Sequence, residues 1–138
     1  MKRYQLLILI VCIALLSMSL TLLAHSLYRI KHIENIPMDV TIGEHLGMNI
    51  DTDALHFGMI AKNGCANRNI IVKHQYDSPA KVVINVIGEL EGWTVIEEND
   101  FILNKDSERK IEFKVCAPGD AILGKEYTGT ARIVFKRL

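Results

Sequence analysis

Five histidines, a short run of acids and three cysteines are the side chains of this sequence with the most obvious capacity for chemistry. His25, His32, His45, His56 and His74 form no H-x-H, H-x-x-x-H or H-E-x-x-H pattern, so no pair stands at the spacing a metal needs on one strand or helix. Each is expected to pack or to face solvent. Asp51-Thr52-Asp53 has the start of a calcium loop, but no Gly-spaced acidic series or closing Glu follows it. An Asp-rich turn bonding its own backbone accounts for it. Glu97, Glu98 and Asp100 are the one carboxylate cluster that a glycoside-hydrolase chemistry would need. They crowd into a short loop between Val95 and Phe101, the placement of a solvated turn. Ser78 and Ser107 lack a Gly-x-Ser-x-Gly elbow, residues 105–110 (KDSERK) are a mixed-charge turn, and no Gly-rich phosphate loop exists. The sequence therefore nominates no catalytic residue, metal ligand or cofactor, and the protein is expected not to be an enzyme.

Composition narrows the remaining classes. The chain has 138 residues, with 16 basic and 16 acidic side chains, so the formal charge is zero. That balance lacks the basic surplus of a nucleic-acid binder. A hydrophobic share of 49% excludes a disordered chain, and three cysteines are too few for a disulfide-dense mini-protein. No Asn-x-Ser/Thr sequon occurs.

The elements that must position these residues begin with a membrane segment. Residues 6–24, LLILIVCIALLSMSLTLLA, carry no charge. As a helix they would span about 28 Å, close to the hydrocarbon thickness of a bilayer. Tyr4 and Tyr28 bracket the run, with Lys2 and Arg3 before it and Arg29 and Lys31 after it. Ser17, Ser19 and Thr21 can return their hydroxyls to the preceding turn. A cleaved signal peptide is the competing reading, because Ala24-His25-Ser26 offers small residues at a cleavage site. The apolar run exceeds the 7–15 residues of a signal core, which favours a retained anchor. Val11 before Cys12 argues against a lipoprotein signal, and a pilin-type cleavage site before the run is missing. Cys12 then serves as a small apolar residue. The expected organisation is residues 1–4 as a cytoplasmic N-terminus, 5–27 as the membrane helix, 28–38 as a juxtamembrane linker in which Pro37 ends any helical continuation, and 39–138 as one domain.

That domain reads as all-β. Short β-branched runs alternate and are divided by turn residues. Val40–Ile42 and Met48–Ile50 are expected edge strands. Leu55, Phe57 and Met59 share one strand face; Ile70 and Val72, then Val82, Ile84 and Val86, line others. Trp93 and Val95, Phe101 and Leu103, then Ile111, Phe113 and Val115 follow. Gly129, Ala131, Ile133 and Phe135 face inward on the last strand, with Arg132 and Lys136 outward. Seven or more short strands suit two packed antiparallel sheets.

The strings Leu55-x-Phe57-Gly58, Ile70 to Val72, Gly88-x-x-x-Gly92-Trp93, Phe101-x-Leu103 and Ala117-Pro118-x-Asp120-Ala121-x-x-Gly124-x-x-Tyr127-x-Gly129 resemble the Ig-like β-sandwich domains of prokaryotic, especially archaeal, cell-surface proteins. The resemblance covers residues 55–138. Together with the strand faces above, it gives an expected core of Phe57, Ile70, Val72, Val82, Ile84, Trp93, Ile111, Phe113, Tyr127 and Ile133. Its motifs are turn glycines and core aromatics, which specify a fold and leave activity open. The sequence departs from the pattern at Cys65 and Cys116. In such a sandwich their two strands are antiparallel neighbours, and pairing Ile70 with Ile111 sets Cys65 opposite Cys116 on the outward face. A disulfide is expected there; two unrelated free thiols are the alternative.

The resulting expectation is a single-pass cell-membrane protein with its C-terminal domain extracytoplasmic, held by residues 5–27 and contacting a protein partner of the envelope. Its first functional reading is a binding or adhesion module. A structural subunit of an envelope assembly, similar in layout to archaellar stator proteins or filament components, is the second, and a carboxylate-dependent hydrolase the third.

Overall fold

The computed structural model describes residues 2–44 and 54–138. Helix α1 (Arg3–Arg29) comprises 27 residues, none of them buried against the rest of the chain, and it is long and apolar enough to cross a membrane. Its hydroxyls are satisfied within the helix: Ser17, Ser19 and Thr21 donate to the carbonyls of Ala14 (2.9 Å), Leu15 (2.7 Å) and Ser17 (2.8 Å).

The helix ends by turning straight into a strand. Ile30 has extended backbone angles (φ −88°, ψ 118°) and opens β1 (Ile30–Ile42). Residues 28–38 are therefore no linker. The reason is tertiary: β1 finds an antiparallel partner along its length in β8 (Glu126–Arg137), from Ile30 opposite Lys136 to Thr41 opposite Glu126. Pro37 sits inside this ladder without costing a bond. Ile42 N–H donates to Lys125 O (3.1 Å), which puts the even-numbered residues of β1 in hydrogen-bonded pairs with the β8 side. The nitrogen of Pro37 then faces the opposite edge, where pairing begins only at Met38.

The other strands are β2 (Leu55–Ile60), β3 (Cys65–His74), β4 (Ala80–Gly88), β5 (Thr94–Ile96), β6 (Phe101–Leu103) and β7 (Ser107–Cys116). They form two sheets, in the orders β2-β1-β8-β4-β6 and β3-β7-β5. The molecule is a β-sandwich preceded by a single apolar helix. All pairs are antiparallel except β1 with β2, which is parallel.

The core lies between the sheets. Val40, Ile42, Phe57, Val82, Ile84, Tyr127, Ile133 and Phe135 enter from the larger sheet and Val72, Ile111, Phe113 and Val115 from the smaller. Ile70 and Trp93 pack on this core but are only partly buried. Trp93 ends a 3-10 turn (Glu91–Trp93), and Val95 on β5 points to solvent, so neither is the inward strand residue that alternation predicts. Met59 also departs from expectation. It is 37% exposed while Ile60 is fully buried. Gly58 adopts φ 73°, and the β1–β2 register shifts between Asp39 and Thr41, so the bulge reverses the inside-outside alternation after Phe57. The expected strand Met48–Ile50 lies outside the described residues.

These burial differences rank two substitutions. Phe113→Ala should destabilise the chain by about 3–5 kcal/mol, the range for emptying a closed aromatic site. Trp93→Ala should cost less, because one side of the indole already meets water. Denaturant unfolding of the detergent-solubilised chain checks this; an equal or larger loss at Trp93 contradicts it.

Candidate functional site

The side chains with chemical capacity are dispersed by the fold. His32 lies on β1, His56 on β2 and His74 on β3. His56 pairs with Asp39 across the parallel β1–β2 register, and Arg68 Nε donates to the His56 carbonyl (2.8 Å), tying β3 to the β2 edge. His74 is buried: its Nε2 donates to Ser78 O (2.7 Å), and its ring stacks on Phe135 at 6.0 Å. Glu97, Glu98 and Asp100 are exposed, with Glu98 bound by Arg109 (3.1 Å) and Asp100 by Lys81 (2.9 Å). Among the described residues no three of His, Cys, Asp and Glu group as a metal site. His45 and Asp51-Thr52-Asp53 lie outside the described residues.

What the fold does bring together lies at its two ends. The end far from α1 is stiffened by covalent and hydrogen bonds. Cys65 faces Cys116 in the β3–β7 ladder, with Ile70 opposite Ile111, and a disulfide joins them. Ala117 N–H donates to Gly64 O (2.9 Å), so the cysteines occupy a non-hydrogen-bonded pair, where antiparallel strands approach closest. Their Cα atoms are 4.0 Å apart. Cys12 remains a free thiol on α1.

Residues 117–125 complete this end. Ala117 and Ala121 are buried, Gly124 N–H donates to Ile42 O (2.7 Å) with φ 77°, and Ile122 N–H donates to the Tyr127 hydroxyl (3.0 Å). Tyr127 in turn packs on Trp93 at 4.4 Å between ring centroids. The result is a tethered loop that holds two adjacent apolar side chains, Ile122 and Leu123, 61% and 52% exposed. Beside it, Glu89 clamps the start of β8. Its carboxylate accepts from Lys125 Nζ (3.0 Å) and from Thr128 N–H (3.1 Å). The Lys125 hydrogen bond, then the Thr128 amide, holds the Glu89 carboxyl below its ordinary 4.5, and Glu89 raises Lys125 above 10.5.

The opposite end is the foot, where α1 enters the sandwich. Tyr28, Lys31, Tyr76, Ser78 and Arg137 border a cavity of about 590 Å³. Arg137 lies over the Tyr28 ring at 4.1 Å, and Lys31 Nζ donates to the Ser78 hydroxyl and carbonyl.

Two structural residues escape sequence pattern. Asn99 bonds both backbone groups of Ile84, accepting from its N–H and donating to its carbonyl, each at 2.8 Å, so its amide extends the β4 edge beyond β6. Arg68 closes the β2 edge as described. An Asn in an acidic loop gives no local signal of its role; Arg68 shares the inward-facing alternation of β3 with Ala66, Ile70 and Val72, and a charge on that face is the one signal the sequence offered.

Scans against models of protein families, curated proteins and solved structures each give no match for this chain.

Thiol counting tests the bridge. The unreduced, denatured full chain should react with one equivalent of alkylating agent, at Cys12, and with three after reduction. Reduction should lower the melting temperature, with about 4 kcal/mol as the ceiling for a loop of this length. The Glu89 clamp makes a pH prediction. A carboxyl whose folded pKa is depressed contributes stability above its unfolded value and loses it as pH falls through the folded one. The melting-temperature gap between wild type and Glu89→Gln should therefore be constant at neutral pH and close progressively below pH 4.5. A gap independent of acid would contradict the clamp.

Proposed function

We propose that the chain is an anchored Ig-like module, held in the cell membrane by α1 with its sandwich on the extracytoplasmic side, where it binds a protein partner of the envelope without catalysing a reaction. The observation that carries this reading is the direct passage of α1 into β1. With 13 residues in β1, at about 3.3 Å each, the Ile122–Leu123 loop stands some 40 Å beyond the end of the helix at a fixed height. An exposed apolar pair on a tethered loop is a suitable contact for a partner at that level.

Several features support the finer assignments. The hydrogen bond between Tyr127 near the start of β8 and the backbone five residues upstream resembles the tyrosine corner of Ig-type sandwiches. The bridge differs from that of antibody domains, since it joins neighbouring strands of one sheet. A disulfide favours an oxidising compartment, hence the extracytoplasmic side.

A structural subunit of an envelope assembly is the second reading, and the same missing linker favours it. A rigid joint transmits force and fixes orientation, whereas an adhesin gains reach from a flexible stalk. The hydrolase reading gains no support from Glu98 and Asp100, exposed carboxylates already paired to cations.

Photo-cross-linking separates these readings. A photoreactive residue replacing Leu123 in the full chain, in its native envelope, should give a discrete protein adduct. The same residue at Ile71, exposed on β3, should not. One abundant adduct of fixed stoichiometry favours the assembly subunit, and varied partners favour the adhesion module. No adduct at Leu123, or the same products at both positions, would overturn the loop as the contact site.

A further inference from the structure

The foot of the sandwich has an electrostatic feature that partner binding at the far end does not use. Five surface cations are matched to carboxylates: Lys73 to Glu108, Lys81 to Asp100, Lys105 to Asp77, Arg109 to Glu98 and Lys125 to Glu89. Lys31 and Arg137 are held differently. Lys31 is turned onto Ser78, a neutral residue, and Arg137 onto the face of Tyr28. Among the described residues neither has a carboxylate partner, and Asp77, the acid on the same rim, is engaged by Lys105 at 2.6 Å. Two positive charges therefore border one cavity, which Asp77 also lines, without a close ion pair of their own among the described residues.

The position of that cavity fixes what it meets. The uncharged run ends at residue 24, and Tyr28 and Arg29 follow within about 8 Å along the helix, the depth of a headgroup layer. Because β1 starts at Ile30, nothing lifts the sandwich off the bilayer. Tyr28 and Tyr76 line the cavity as aromatic groups at the level where such rings settle. The guanidinium of Arg137 presents the planar donor fork that matches phosphate oxygens, and Lys31 adds a point charge beside it.

We infer that this foot binds the phosphate of an anionic phospholipid headgroup, held between Lys31 and Arg137, so that the sandwich is fastened to the membrane surface as well as hung from α1. The inference rests on α1 being retained in the bilayer. Lipid contact at the foot would fix the rotation of the whole molecule about the helix axis, which a single membrane helix alone leaves free.

The test uses the full chain in nanodiscs of phosphatidylcholine mixed with phosphatidylglycerol. Native mass spectrometry should find phosphatidylglycerol retained on the protein above its share of the bilayer. Lys31→Gln with Arg137→Gln should reduce that enrichment by about 25-fold, given about fivefold for each basic residue at an anionic surface. Arg137 is exposed and Lys31 half-buried, and the melting temperature of the variant checks that the fold persists. Should it fall, the single substitutions carry the test, each lowering the enrichment by about fivefold. Excess inorganic phosphate should leave the bound lipid in place. Displacement by phosphate would make this a free-phosphate site and overturn the lipid assignment. Equal retention of both lipids by wild type, or enrichment indifferent to the substitutions, would also overturn it. Carbonate extraction of the source membranes distinguishes the two levels of failure. A chain that stays in the pellet without lipid enrichment defeats this inference alone, and a chain in the supernatant defeats the anchored reading too.

Discussion

The pairing of β1 with β8 is the constraint on which the rest of the structure depends. It turns the segment after an apolar helix from a flexible connection into an interior strand of the larger sheet. Were residues 30–38 a free linker, their backbone groups would be solvated and the sandwich would move independently of α1. In the ladder those groups are paired, and the helix and the sheet share one continuous, hydrogen-bonded chain. The same pairing places β8 between β1 and β4, so every strand of the larger sheet is referred to the helix through at most a few neighbours.

From this follow the two ends of the molecule. Strand directions put residues 75–79, Asn104 to Asp106 and Arg137 at the foot with α1, and put the bridge, the Glu89 clamp and the 117–125 loop at the far end. The far end is reinforced by bonds that are each modest: one disulfide, one tyrosine hydroxyl, one carboxylate shared between an ammonium and an amide. Their common effect is to restrict a loop carrying exposed apolar side chains, which lowers the ordering entropy that contact with a partner would cost. The foot is built from opposite chemistry, cations and aromatic rings around an open cavity, suited to a polar and anionic boundary.

The edges of the larger sheet, at β2 and along β4 beyond β6, are managed by side chains. Arg68 crosses to the β2 carbonyl and Asn99 satisfies Ile84, so side-chain donors and acceptors take places that an added strand would otherwise occupy. These contacts reduce edge pairing with unintended chains while leaving the loops available.

Much of this was legible in the residues. The uncharged 19-residue run dictates a helix because no other local structure satisfies its backbone in an apolar medium. Period-2 alternation at Val82 to Val86 and Ile111 to Val115 dictates strands with one buried face, and the matching of Ile70 with Ile111 carries the cysteines into opposition. The 28–38 segment, the faces of Met59 and Trp93 and the roles of Asn99 and Arg68 were decided only in three dimensions. Residues 28–38 have no periodic signal that distinguishes them from a linker; a partner strand about 100 residues away supplies their hydrogen bonds. Met59 turned outward because Gly58 could take a positive φ and add a residue to the bulge, a choice made by the register with β1 rather than by local alternation. The sequence by itself determined which segments would be apolar helix and strand, since that depends on nearest neighbours and their period. Which strands would meet, and therefore which cations would gather unpaired at the foot and which apolar side chains would be held out at the far end, depended on contacts between distant residues that no local pattern encodes.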